Sequence, residues 1–175
     1  MEAFASNGYR GASLDGIAGA VGLTRQGVLH YFPSKVALLM AVLDLGQQDD
    51  IALITRLREQ HDWSLPETLR AIIEHNLSRP GLAQLRTALA GEAINPNHPG
   101  HAWFVDVYRY ARSGITEWVT REQAERRITS SMSPERLAMA IIAVIDGLQL
   151  QSLLEPERLN VEEALAELMA VLATA

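Results

Sequence analysis

The sequence contains no cysteine, which excludes a disulfide framework, a thiol nucleophile and every thiolate metal site. Lysine is nearly missing as well, a single Lys35 standing beside 14 Arg. The longest uninterrupted apolar run is Leu137 to Ile145, far short of the roughly 20 residues that cross a bilayer, and no charged segment followed by an apolar stretch opens the chain. No membrane partner is expected. No stretch alternates polar and apolar residues long enough to read as a strand. An excess of positive charge is also lacking. The formal net charge of −6 argues against nucleic-acid binding by the whole surface and leaves room only for a local DNA-reading element.

What remains is helical. Apolar residues recur at three- and four-residue spacings almost throughout the 175 residues, so an all-α fold is expected. Breaks fall at Asn7-Gly8, Gly22, Pro33, Pro66, Pro80-Gly81, Pro96 to Gly100, Pro134 and Pro156, dividing the chain into roughly eight helices. Residues 1–45 carry three basic and three acidic side chains, and residues 46–175 carry twelve and eighteen. The acidic excess thus lies in the second part. Two domains are read, 1–45 and 46–175, with the seam at Gly46 to Asp50, where nothing proline-rich would stop a continuous helix.

Ser13 is placed to N-cap a helix running through Leu14, Ile17, Ala18 and Val21, with Asp15 in the first turn, where the helix dipole favours a carboxylate. Gly22 supplies a left-handed C-terminal conformation. Thr24 then caps a second helix reaching Tyr31 or Phe32. Two short helices joined by a tight turn, with small Ala18 at their contact and Ile17, Val21, Leu23, Val28 and Tyr31 facing inward, form a helix-turn-helix. The first residues of its second helix, Thr24, Arg25 and Gln26, would reach base edges in the major groove of double-stranded DNA. Arg25 has the geometry for a bidentate contact to guanine and Gln26 for one to adenine, while His30 and Lys35 lie where phosphates are the targets. Tyr31 is read as a buried aromatic, with a backbone contact as the alternative.

The segment Phe4 to Leu43 resembles the DNA-binding domain of TetR-family regulators. The resemblance is carried by Phe4, Gly8-Tyr9, Ser13 to Ala18, Gly22-Leu23-Thr24 and Phe32-Pro33-Ser34-Lys35. It implies an N-terminal three-helix unit containing the helix-turn-helix, followed by a helical ligand-binding and dimerisation domain, with Lys35 as a phosphate contact and no cofactor. Two positions depart from the usual pattern: Leu29 stands where a backbone-contacting tyrosine is common, and Gln26 where a small residue is frequent. Family members also carry about one more basic helix turn ahead of the position of Met1, so the first helix is expected to be truncated here.

In the second part, Leu137, Ile141, Val144, Ile145 and Leu148 trace one helical stripe, and Ala138, Ile142, Ile145, Gln149 and Ser152 an adjacent one. A helix apolar around most of its circumference must be buried on more than one side. Val161, Ala164, Leu165, Leu168, Met169 and Leu172 make a further stripe. Ile141, Ile145, Leu148, Gln149, Ser152, Leu165, Leu168, Met169 and Leu172 are therefore expected at a homodimer interface, and the resemblance implies a four-helix bundle there. A two-fold dimer would present two recognition helices to a palindromic operator. The aromatics cluster in residues 60–125, with Trp63, Trp103, Phe104, Tyr108, Tyr110 and Trp118. Trp103, Tyr108 and Trp118 are the candidate wall of a pocket for an apolar or aromatic effector. Any effector would act by differential affinity for two states of the dimer.

His98, His101, Asp106 and the more distant His75 are the only residues suggesting a metal or a catalytic base. The two histidines bracket Pro99-Gly100 on a loop, no HExxH motif occurs, and no nucleophile elbow or phosphate loop is present, so neither metal nor catalytic residues are expected. An all-α enzyme using His75 or His98 with Glu74 or Asp106 is one alternative. A dimer that binds ligand or protein but has lost DNA is the other. The regulator itself is expected to repress and to work in the cytoplasm.

Overall fold

The computed structural model describes residues 2–60, 65–155 and 159–174, apart from the side chains at positions 58, 60, 65, 66, 162 and 172–174. Trp63, the break at Pro156 and the Leu172 side chain lie outside the described residues. Among these residues there are nine helices and no strand: α1 Glu2–Gly11, α2 Leu14–Ala20, α3 Arg25–Tyr31, α4 Lys35–Gln60, α5 Leu65–Leu77, α6 Pro80–Glu92, α7 His101–Ala124, α8 Pro134–Leu154 and α9 Val161–Thr174.

The chain forms two compact units. One joins Met1–Ile51 to Arg79–Phe104, and the other joins Ala52–Ser78 to Val105–Ala175. The compact unit that holds the helix-turn-helix is thus larger than residues 1–45, because α1 packs on α6. At the expected seam, Gly46 to Asp50, the chain is continuous helix within α4.

In the first unit the caps follow the local chemistry. Ser13 Oγ accepts from Gly16 N at 3.0 Å and Thr24 Oγ1 from Gly27 N at 3.0 Å, satisfying donors that the first helical turn leaves free. Gly22, at φ 69°, closes α2. Leu23 N donates to Ala18 O at 2.9 Å and Gly22 N to Gly19 O at 3.3 Å, the paired bonds of a Schellman turn. Ala18 is 1% exposed, small enough to let α2 and α3 cross closely. Phe4, Leu39, Leu43, Leu85 and Leu89 are fully buried.

The second unit is built around Leu69, Ile73, Trp118, Val119, Leu137 and Ile141, against which Val161, Leu165 and Met169 of α9 close. Ser133 caps α8 by accepting from Arg136 N, with Pro134 in the first turn, where its missing N–H costs nothing. The buried Glu122 carboxylate receives two bonds from Arg127, at 2.8 and 2.7 Å, which offset its desolvation. By length and composition α8 is apolar enough to cross a membrane, although its longest uninterrupted apolar run is Leu137 to Ile145. Asp146, Gln149 and Ser152 break the run without making the 21-residue helix polar.

Candidate nucleic-acid interface

The expected recognition helix is α3. Thr24 is its N-cap, so the Thr24 hydroxyl is already an acceptor within the protein. Arg25 and Gln26 follow at once and are exposed. The Arg25 guanidinium lies 3.4 Å from the Asp15 carboxylate of α2, a partner that sequence reasoning placed only as a dipole-favoured residue. Both side chains are well exposed, and such a pair contributes about 0–1 kcal/mol, so it opens readily for a stronger acceptor. His30 is exposed with its ring edge-on to Tyr31, centroids 5.2 Å apart.

Tyr31 is 71% exposed, which corrects its reading as a buried aromatic. Val28 is buried and Leu29 and Phe32 are half-buried. At about 100° per residue these three span one side of α3, and Tyr31 falls about 60° beyond Val28 in the other direction. Val21 and Leu23, expected to face inward, are also exposed, at 62% and 47%. The helices α2 and α3 are only seven residues long, so they bury little beyond Ala18 and Val28.

Lys35 is less free than its place at the start of α4 suggested. Its Nζ donates to Ala12 O at 2.9 Å and Arg10 O at 3.4 Å, at the end of α1, and lies 4.6 Å from the centroid of the Tyr9 ring. One of its three N–H groups remains for another acceptor.

The same unit contains a cluster that the sequence did not reveal. Gly8 has φ 65° and ψ 179° and splits α1 into two helical pieces. Tyr9 N donates to Glu92 Oε2 of α6 at 3.2 Å, and a Cβ on Gly8 would collide with that carboxylate. His98 Nε2 faces Glu92 Oε2 at 3.4 Å, and its ring meets the Tyr9 ring edge-on at 5.4 Å. His98 Nδ1 accepts from Gly100 N at 3.1 Å, and His101 Nδ1 lies 2.7 Å from Ala93 O. Both imidazoles thus have local structural partners, and among the described residues no group of His, Asp and Glu is arranged to hold a metal ion.

The candidate pocket residues fall in both units. Trp103 belongs to the first unit, where its Nε1 donates to Asp44 Oδ1 at 2.9 Å, and Tyr108 and Trp118 belong to the second. Trp118 is 8% exposed and part of the core, so it is a packing residue. Tyr108 is half-buried and donates to Asp146 Oδ2 at 2.9 Å. Burial, then the Asp146 charge and hydrogen bond, push its phenol up to about 12.

The expected dimer residues mostly point into their own unit. Ile141, Leu165, Met169 and Ser152 are buried, and Ile145, Leu148, Gln149 and Leu168 are half-buried. The outward side of α8 is the opposite one: Met139 at 59%, Leu150 at 47% and Leu154 at 71%, with Ala143 and Asp146 between them. Because α8 is apolar on nearly every side, its stripes did not distinguish the side facing its own core from the side left for another molecule.

The comparisons with known proteins agree with this geometry. A family model for bacterial regulatory proteins of the TetR family matches residues 1–42, and one for the C-terminal part of BetI-type transcriptional repressors matches residues 66–175. The HTH-type transcriptional regulator BetI 1 of Chromohalobacter salexigens is 27% identical over 173 residues, covering 94% of this chain and 80% of that protein. E. coli NemR in its reduced form superposes with a TM-score of 0.75 and 18% identity, over 98% of this chain and 92% of its own. Salmonella enterica GusR gives 0.73 and 22%, over 98% and 90%. At these identities the two structures speak for the fold. The chain belongs to the TetR family, with a C-terminal part of the BetI type. It is accordingly a ligand-responsive, DNA-binding transcription regulator and not an enzyme.

Proposed function

We propose that the protein is a homodimeric repressor that reads a roughly palindromic operator through Arg25 and Gln26 of α3. The observation that carries this reading is the exposed start of α3, fixed by the Schellman turn at Gly22 and the Thr24 cap. It sets two hydrogen-bonding side chains at the end of the helix that enters the major groove in such units. His30, Tyr31 and the remaining N–H of Lys35 would take the DNA backbone. Repression is the mode named for the matching C-terminal family and comes to this chain by that likeness.

The dimer would form through the outward side of α8, together with α9. Only 22% of the apolar window of α8 is buried within the chain, and a second copy covering Met139, Leu150 and Leu154 removes that surface from water. The effector would be apolar or aromatic. Trp103 and Tyr108, each half-buried, are separately able to touch one, whereas Trp118 is committed to the core. As a regulator of chromosomal genes it would work in the cytoplasm.

Selection of binding sites from a random duplex library, repeated over salt concentrations, tests the reading. An enriched near-palindrome with half-sites about one helical turn apart is the expected result. A folded dimer that enriches no sequence at low salt would overturn it in favour of a ligand-binding dimer without DNA.

A further inference from the structure

We infer that Glu92 is a positioning residue for DNA recognition, acting as one jaw of a clamp on the single helical turn Tyr9 to Ala12. The inference rests on the DNA-reading assignment above. The break at Gly8 makes the end of α1 a helical piece of its own, across which Ala12 N donates to Gly8 O at 3.2 Å. Its N-terminal end therefore leaves the Tyr9 N–H without a partner inside α1. The Glu92 carboxylate, from the last residue of α6, takes that N–H, an anion at the positive end of a helical turn. At the other end, Lys35 takes the carbonyls of Arg10 and Ala12, a cation at the negative end. One turn is held by opposite charges from two separate helices.

The consequence lies in what each jaw is attached to. Lys35 is the first residue of α4 and follows α3 by only three residues, so its hold on α1 fixes where the recognition helix ends. Glu92 holds the opposite end of the same turn. His98 backs Glu92 and edges the Tyr9 ring, and Phe4 also stacks with Tyr9, centroids 6.4 Å apart. The absence of a side chain at Gly8 is what lets the carboxylate approach. Glu92 itself is not among the residues that reach DNA. Its loss would blur the placement of α3 while leaving every proposed DNA contact in the sequence.

The test uses the full chain as wild type, Glu92→Ala, Glu92→Asp and Glu92→Gln, with the duplex that the wild type selects and a scrambled duplex. Glu92→Ala and Glu92→Asp, which cannot reach Tyr9, should bind the selected duplex about tenfold more weakly, a loss of the size expected for one charge-assisted bond. The salt slope should not change, because no phosphate contact is removed. Glu92→Gln keeps an acceptor oxygen and should stay within about threefold. Amide hydrogen exchange should quicken at Tyr9 to Ala12 in the first two variants and stay slow around Ile141, which shows the rest folded. Wild-type affinity in Glu92→Ala despite faster exchange at Tyr9 would make the contact a stability device only and overturn the inference. Failure of the wild type to select any duplex would remove the DNA reading, and the inference with it, before any variant is compared.

Discussion

The ammonium of Lys35 lies 2.9 Å from the carbonyl oxygen of Ala12, so the only lysine in the sequence completes the C-terminal end of α1. A cation there satisfies carbonyls that a helix end leaves open and opposes the dipole. Lys35→Met should therefore destabilise the protein by about 1.5–3 kcal/mol, the range for a lost hydrogen bond to a charged group. If its third N–H meets a phosphate, the slope of log affinity against log salt should also shrink by about 1. Thermal melting checks the first effect and a salt titration the second. An unchanged melting temperature would remove the capping role, and an unchanged slope the phosphate contact.

Arg25 and Gln26 carry the proposed base readout. Arg25→Ala and Gln26→Ala should each relax base preference at one operator position and cost about 1–3 kcal/mol of binding. Asp15→Asn frees the Arg25 guanidinium and removes a negative charge beside the DNA. It should strengthen binding to selected and scrambled duplexes alike, leaving base preference unchanged. Site selection repeated with each variant reads all three, and unchanged selectivity in both alanine variants would sink the assignment of α3.

The turn chemistry of the helix-turn-helix was legible from sequence because it is local. Ser13, Gly22 and Thr24 each act on a backbone group within five residues, and each does in the structure what its side chain permits. The Glu92–Tyr9 contact joins residues 83 apart, and no periodicity predicts it. Only Gly8 gave a signal, as a break, without saying what occupies the space its missing side chain leaves. Tyr31 departs from the helical pattern because a three-residue spacing from Val28 marks one face only in a long helix. In a seven-residue helix lying on a small partner, a departure of about 60° is enough to leave the packed side. Trp118 shows the converse, since an aromatic at helical spacing serves a core as well as a pocket.

Asp146 and Tyr108 form a pair whose charge state depends on burial. Burial raises the Asp146 carboxyl above its ordinary 3.8, with the Tyr108 hydrogen bond acting against it. The folded state thus favours the neutral acid more than the unfolded chain does. That contribution is fully present below about pH 3.8 and is lost as pH rises through the higher folded value. Asp146→Asn, neutral and still able to accept from Tyr108, should melt higher than wild type at pH 7, with the difference closing as pH falls below 4. Absorbance titration should show one of the four tyrosines ionising near 12, and Tyr108→Phe should remove it. A stabilisation by Asp146→Asn that is equal at all pH values would contradict the assignment.

The proposed interface and the core lie on opposite sides of α8. Ile141 is fully buried in its own unit, whereas Leu150 is 47% exposed on the opposite side. Ile141→Ala opens a cavity in the monomer core and should cost about 2–5 kcal/mol of folding stability. Leu150→Glu places a charge where a second copy would sit, so it should leave the monomer folded and weaken self-association by tenfold or more, about 1.4 kcal/mol. Sedimentation equilibrium over a concentration series, beside a thermal melt, distinguishes them. If Leu150→Glu stays dimeric at every concentration, the interface lies elsewhere. If it becomes monomeric and also loses operator affinity with α3 intact, two recognition helices on one dimer are what the operator requires.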